Sequence, residues 1–164
     1  MTEAIEELIA VRRGQELPAR SESISQMLET VIAEARTTLG SRGRDLVLRL
    51  AEEPVMGVSA GALRHVVSIL LDNATEHGQG TVSLEASISG DWLLIAVRDE
   101  GEGLSEQAAE VLRRADRGVS VPTESVSRSI GLPLALALSA AQGGRLEWRS
   151  AERAVVRLYL PLNG

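Results

Sequence analysis

Three short clusters in this chain carry residue types able to do chemistry. The first is Leu70-Leu71-Asp72-Asn73-Ala74, where a polar amide interrupts an apolar run. A buried amide must find hydrogen-bond partners or bear a desolvation cost, and its oxygen is also a hard ligand suited to Mg²⁺. The second is Asp99-Glu100-Gly101-Glu102-Gly103-Leu104, directly after an apolar run. Two glycines one residue apart let the backbone approach a flat ligand closely. An aspartate at the end of a buried strand can accept a hydrogen bond from an exocyclic amine, such as that of adenine. The third is Ser129-Ile130-Gly131-Leu132, opening a helix whose first free N–H groups form a seat for phosphate. Each also has an ordinary reading: an amide bonded near a helix end, a glycine turn with solvated acids, a glycine-containing helix start.

The elements that must position these clusters are legible from periodicity. Residues 2–13 place Ile5, Leu8 and Ile9 at helical spacing, and Gly14 and Pro18 break that pattern into a linker. Ser23 and Gln26 match a capping box, opening a helix that should run to about Gly40. Leu46, Leu48 and Leu50 alternate as in a strand. Ser59 caps a helix predicted to end around His77-Gly78, which places Asn73 late on it. Residues 81–88 and 92–98 read as a hairpin turning at Gly90-Asp91, so Asp99 follows its return strand. Ser105 caps a helix over 106–115, and 116–130 reads as a mobile loop. A helix over 132–141 tolerates Pro133 in its first turn and stops at Gly143-Gly144, before a closing hairpin of 145–149 and 154–160. Hairpins mixed with helices predict an α+β sandwich, with helices on one face of a mostly antiparallel sheet.

Composition narrows the function. A net charge of −6 argues against a nucleic-acid partner. The absence of cysteine excludes disulfides, zinc-thiolate sites and thiol nucleophiles, and the absence of lysine excludes a lysine-bearing phosphate loop. The longest apolar stretch, from Leu132 to Ala141, is too short to cross a bilayer, so this fragment is expected to be cytoplasmic and not to span a membrane.

Taken together, and in this order, the clusters make residues 22–162 resemble the ATP-binding catalytic domain of bacterial sensor histidine kinases. That domain belongs to the GHKL superfamily shared with gyrase, MutL and the heat-shock chaperone. The resemblance implies a two-layer, Bergerat-type sandwich with a mixed sheet of about five strands, in a catalytic domain over 22–164. Residues 1–21 would then be the end of a dimerisation helix and its linker. The implied cofactors are ATP and Mg²⁺, with Asn73 on the metal. Asp99, Gly101 and Gly103 match the adenine-binding D-x-G-x-G, followed by Leu104; Gly131 and Leu132, with Ser129 and Ile130, match the second glycine box. The lid becomes 116–130, where Arg117, Gly118 and Val119 resemble the residues that come after the usual lid phenylalanine, itself missing here. Ile69 replaces an earlier asparagine, which thins the polar network around Mg²⁺. Ser129 and Pro133 replace glycines, which should stiffen the lid hinge. Glu76 stands where a basic residue is frequent, and would repel phosphates unless it faces away.

His77 follows Asn73 by one helical turn and shares its face, whereas His65 reads as a surface or boundary residue. Neither has a phosphoacceptor context, so the resemblance implies a histidine on a dimerisation domain outside this chain, and no autophosphorylation in isolation. That domain and a response regulator are the implied partners. Arg117 is the first candidate for a γ-phosphate contact, Arg128 the second; Arg113 and Arg114 read as a solvated helix face, and Trp92 and Trp148 as packing. Two alternatives stand beside this reading: a nucleotide-weak protein-interaction domain of the same fold, and an anti-sigma-factor-type serine kinase.

Overall fold

A computed structural model describes residues 22–118, 131–149 and 154–162. Strand β1 (Glu22–Ser23) leads into α1 (Ile24–Met27). The capping box forms as the sequence predicts: Ser23 Oγ accepts from Gln26 N at 3.3 Å, and Gln26 Oε1 accepts from Ser23 N at 2.9 Å. The expected single helix is divided at Leu28, whose backbone sits at φ −102°, ψ 5° before α2 (Glu29–Ser41). Hydrogen bonds still run across the break, from Leu28 N to Ile24 O and from Ile32 N to Leu28 O. One apolar stripe therefore continues, with Ile24, Met27, Leu28, Val31, Ile32, Ala35 and Leu39 all buried.

The main sheet contains β2 (Leu46–Leu50), β4 (Val82–Ser89), β5 (Trp92–Arg98), β7 (Val155–Pro161) and β6 (Arg145–Arg149), in the spatial order β2-β4-β5-β7-β6. Only the β2–β4 pair is parallel. Its crossover contains the short strand β3 (Pro54–Val55) and helix α3 (Ala60–His77), which Ser59 caps by accepting from Ala62 N at 3.3 Å. Strand β3 pairs with β1 in a separate two-stranded ribbon that periodicity could not reveal, because two residues carry no alternation.

Alternation in the long strands buries one face of the sheet. Register aligns Leu84, Val97 and Val156 in one inward row, and Ala86, Ile95, Leu158 and Leu146 in the next. These residues share a core with Leu63, Val66, Val67, Leu70 and Leu71 of α3 and with Leu132, Ala135, Leu136 and Leu138 of α5 (Gly131–Ala141). The result is the predicted α+β sandwich, with a five-stranded mixed sheet packed against helices. Helix α4 (Glu106–Asp116) lies beside α5. Ser105 caps α4 through Ala108 N, and Arg113 and Arg114 pair with Glu106 and Glu110 along its outer surface, the solvated face expected of them.

Of the loop predicted over 116–130, residues 119–130 lie outside the described residues, and the first residue belongs to α4. Asp116 is the last residue of α4, Arg117 is its C-cap, and Gly118 (φ +72°) donates to Ala115 O. Gly118 thus ends the helix in the left-handed conformation that glycine adopts without penalty. Among the described residues, no helix is long and apolar enough to cross a membrane.

Candidate functional site

The C-terminal half of α3 brings the three clusters together. Asn73 lies there half-buried, and no described residue hydrogen-bonds its side chain. One turn earlier, Ile69 packs toward the start of α5: a Cβ on Gly131 would lie 2.9 Å from Ile69 Cγ2. Gly131 is therefore needed small, and position 69 serves packing between two helices. Leu132 is 2% exposed and belongs to the core. One turn beyond Asn73, His77 is the exposed last residue of the helix.

Two arginines from the α2–β2 loop close this helix end. Arg42 donates to Thr75 O at 2.9 Å, and Arg44 donates to Thr75 O at 3.0 Å and Ala74 O at 3.1 Å. Cations are favoured where a helix leaves its last carbonyls unpaired. Arg42 also pairs with Glu76 at 2.9 Å. The acid expected to repel phosphates is directed at an arginine. Asp72 is exposed, and its carboxyl is raised above the ordinary aspartate range by partial burial first, then by Glu34 and Glu76.

Asp99 follows β5 and is 8% exposed. Its Oδ1 accepts from Gly101 N at 2.6 Å and from Gln79 N at 3.3 Å. Its Oδ2 receives no hydrogen bond from the described residues, so one carboxylate oxygen is tied down and the other is left for a donor. The two glycines of the loop are required for different reasons. A Cβ on Gly101 would sit 2.7 Å from Asp99 Oδ1, whereas Gly103 takes φ +89°. Leu104 packs half-buried against the core.

Gly78, which the sequence suggested only as a helix stop, is equally constrained. A Cβ there would lie 2.6 Å from Asp99 Cγ and collide with Ala74 O. The repeated spacing Gly78-x-Gly80 beside Gly101-x-Gly103 was the signal that could have found it. Arg117 and Gly118 are exposed at the end of α4, and Val119, Ser129 and Ile130 lie outside the described residues.

Among the described residues, no group of three or more His, Cys, Asp or Glu side chains could itself hold a metal. A cation here would need ligand oxygens from a bound molecule in addition to the Asn73 amide. At Asp99 the arrangement suits a ligand with a flat, amine-bearing end, because one carboxylate oxygen is held by backbone N–H groups.

Residues 59–164 match the family described as histidine kinase-, DNA gyrase B- and HSP90-like ATPase. The chain belongs to this family. Within the GHKL superfamily, it is a domain of the sensor histidine kinase type. A probable sensor histidine kinase of Mycobacterium tuberculosis (strain CDC 1551 / Oshkosh) is 25% identical over 141 residues, 85% of this chain. The chain spans only 37% of that relative's length. Among solved structures, the Acinetobacter baumannii histidine kinase AdeS has a TM-score of 0.71 at 17% identity, covering 99% of this chain and 77% of that one. Full-length ShkA in complex with AMPPNP has a TM-score of 0.70 at 22% identity, covering 90% and 32% respectively. These two likenesses concern the fold; the family match concerns the chain's own sequence.

Proposed function

We propose that this GHKL domain binds ATP with Mg²⁺ and delivers the γ-phosphoryl group to a histidine on a dimerisation domain, from which it passes to a response regulator. The observation carrying this reading is the Asp99 carboxylate, with Oδ1 held by two backbone N–H groups and Oδ2 open. Asp99 would accept from the adenine amino group, with Gly78 and Gly101 leaving room for its carboxylate. Asn73 would hold the metal. The N-terminus of α5 at Gly131 and the exposed Arg117 would orient the phosphates, together with Ser129 and Ile130. His77, Gly103, Leu104, Gly118, Val119 and Leu132 would line or support the pocket. Mg²⁺, when bound, supplies neutralisation of charge on the phosphate oxygens. The chain's own part is binding and orientation, and the attacking nitrogen comes from the partner domain. The AMPPNP complex of the structurally similar ShkA supports the nucleotide assignment.

A nucleotide-weak interaction domain is the second reading, favoured by Ile69, whose packing against Gly131 puts an aliphatic group beside Asn73. Titration with ATP, with and without Mg²⁺, separates the two. Wild type should saturate, and Asp99→Ala should lose about 1.5–3 kcal/mol, roughly ten- to a hundredfold in affinity. No saturable binding by wild type would leave the interaction-domain reading standing.

A further inference from the structure

The Gly80–Thr81 peptide group is gripped at both ends by charged side chains. Its carbonyl oxygen accepts from Arg44 Nε at 2.7 Å, and its N–H donates to Glu100 Oε2 at 2.7 Å. The positive end of the peptide dipole faces an anion and the negative end a cation, so both bonds are charge-assisted. Gly80 makes room for this: its φ is +63°, and a Cβ there would collide with the Glu100 carboxylate. The remaining two arms of the Arg44 guanidinium reach Ala74 O and Thr75 O on the last turn of α3. Glu100 adds a backbone bond, donating from its N–H to Gln79 O at 2.9 Å. The peptide N–H of the same Gln79 donates to Asp99 Oδ1.

One half-buried arginine thus spans the end of the helix carrying Asn73 and the loop that ties down Asp99, while Glu100 secures that loop from the other side. We propose that Arg44 and Glu100 are positioning residues that fix the Asp99 carboxylate in its adenine-accepting orientation, acting through the Gly80–Thr81 peptide. The proposal rests on the adenine reading of Asp99. Neither side chain touches the ligand; their effect passes through the backbone of residues 78–81. A guanidinium is required at 44, because its three bonds come from three separate nitrogens. The three donors of a lysine share one nitrogen and do not span the same acceptors. An acceptor is required at 100, and its charge strengthens the bond.

The test compares the full chain's binding of ATP and of inosine triphosphate, which carries an oxygen where adenine has its amino group. Arg44→Lys and Glu100→Ala should each weaken ATP binding about tenfold and lower the preference for ATP over inosine triphosphate by a similar factor. Glu100→Gln, which keeps a neutral acceptor for Thr81 N–H, should lose clearly less than Glu100→Ala. In the Asp99→Asn background, Arg44→Lys should cause little further loss. Melting temperatures establish that each variant is folded, and exposed Glu100 supplies the comparison if Arg44→Lys is not. Equal losses for both nucleotides, additivity with Asp99→Asn, or unchanged ATP binding by Glu100→Ala would overturn the proposal. A wild type that binds ATP and inosine triphosphate equally would instead remove the adenine reading beneath it.

Discussion

At the scale of single residues, charge placement separates the side chains assigned to the proposed site from those that merely lie near it. Asp99 is buried with one oxygen satisfied by backbone, whereas Glu76 is spent on Arg42. Asp72 carries an unfavourable charge, with its carboxyl raised by burial and by Glu34 and Glu76. A carboxyl whose folded-state pKa lies above its unfolded value costs stability while it is ionised, at pH above both values. That cost disappears as pH falls through the folded and then the unfolded value. Asp72→Asn should therefore raise the melting temperature at neutral pH, with the gain shrinking to nothing on acidification through the aspartate range. Thermal melts of both proteins across that range check it; a gain independent of pH would contradict the electrostatic cause. Asn73, Asp99 and Gly131 were legible in the sequence as candidates because each breaks a local pattern. Arg44 and Gly78 were not. An arginine in a loop has no periodicity to violate, and its three acceptors lie 30, 31 and 36 residues away.

At the scale of elements, caps and alternation accounted for most boundaries. Ser23, Ser59 and Ser105 all cap as their sequence contexts predict, since a cap is a local hydrogen bond written within three residues. What escaped was non-local or too short: the β1–β3 ribbon and the extra residue of α4. The division at Leu28 escaped because the apolar stripe continues through it. Helix α3 is central to the candidate site, since its C-terminal half meets Gly131 through Ile69, Asp99 through the capping Gly78, and Arg44 through two carbonyl groups. Its position depends on the sheet row Ala86, Ile95, Leu158 and Leu146, in which Leu158 is fully buried. Leu158→Ala should cost about 2–5 kcal/mol by chemical denaturation, through lost transfer energy and the cavity left behind. A loss below about 1 kcal/mol would mean that the row is less tightly packed than its burial indicates.

At the scale of the whole molecule, the proposed function makes the sandwich the site for one reactant of a two-reactant transfer. An acidic domain can bind a polyphosphate when oriented backbone N–H groups and a cation meet the charge, so a net charge of −6 is compatible with that role. Transfer to a histidine in trans is the step on which the proposed function stands, and a single labelling experiment addresses it. The chain is incubated with γ-labelled ATP and Mg²⁺, first alone and then with a separately supplied dimerisation domain that carries a phosphoacceptor histidine. This chain alone should take up no label, and the added domain should take up acid-labile label. Acid-labile label on His65 or His77 of the isolated chain, or bound ATP with no transfer to the added domain, would refute transfer in trans.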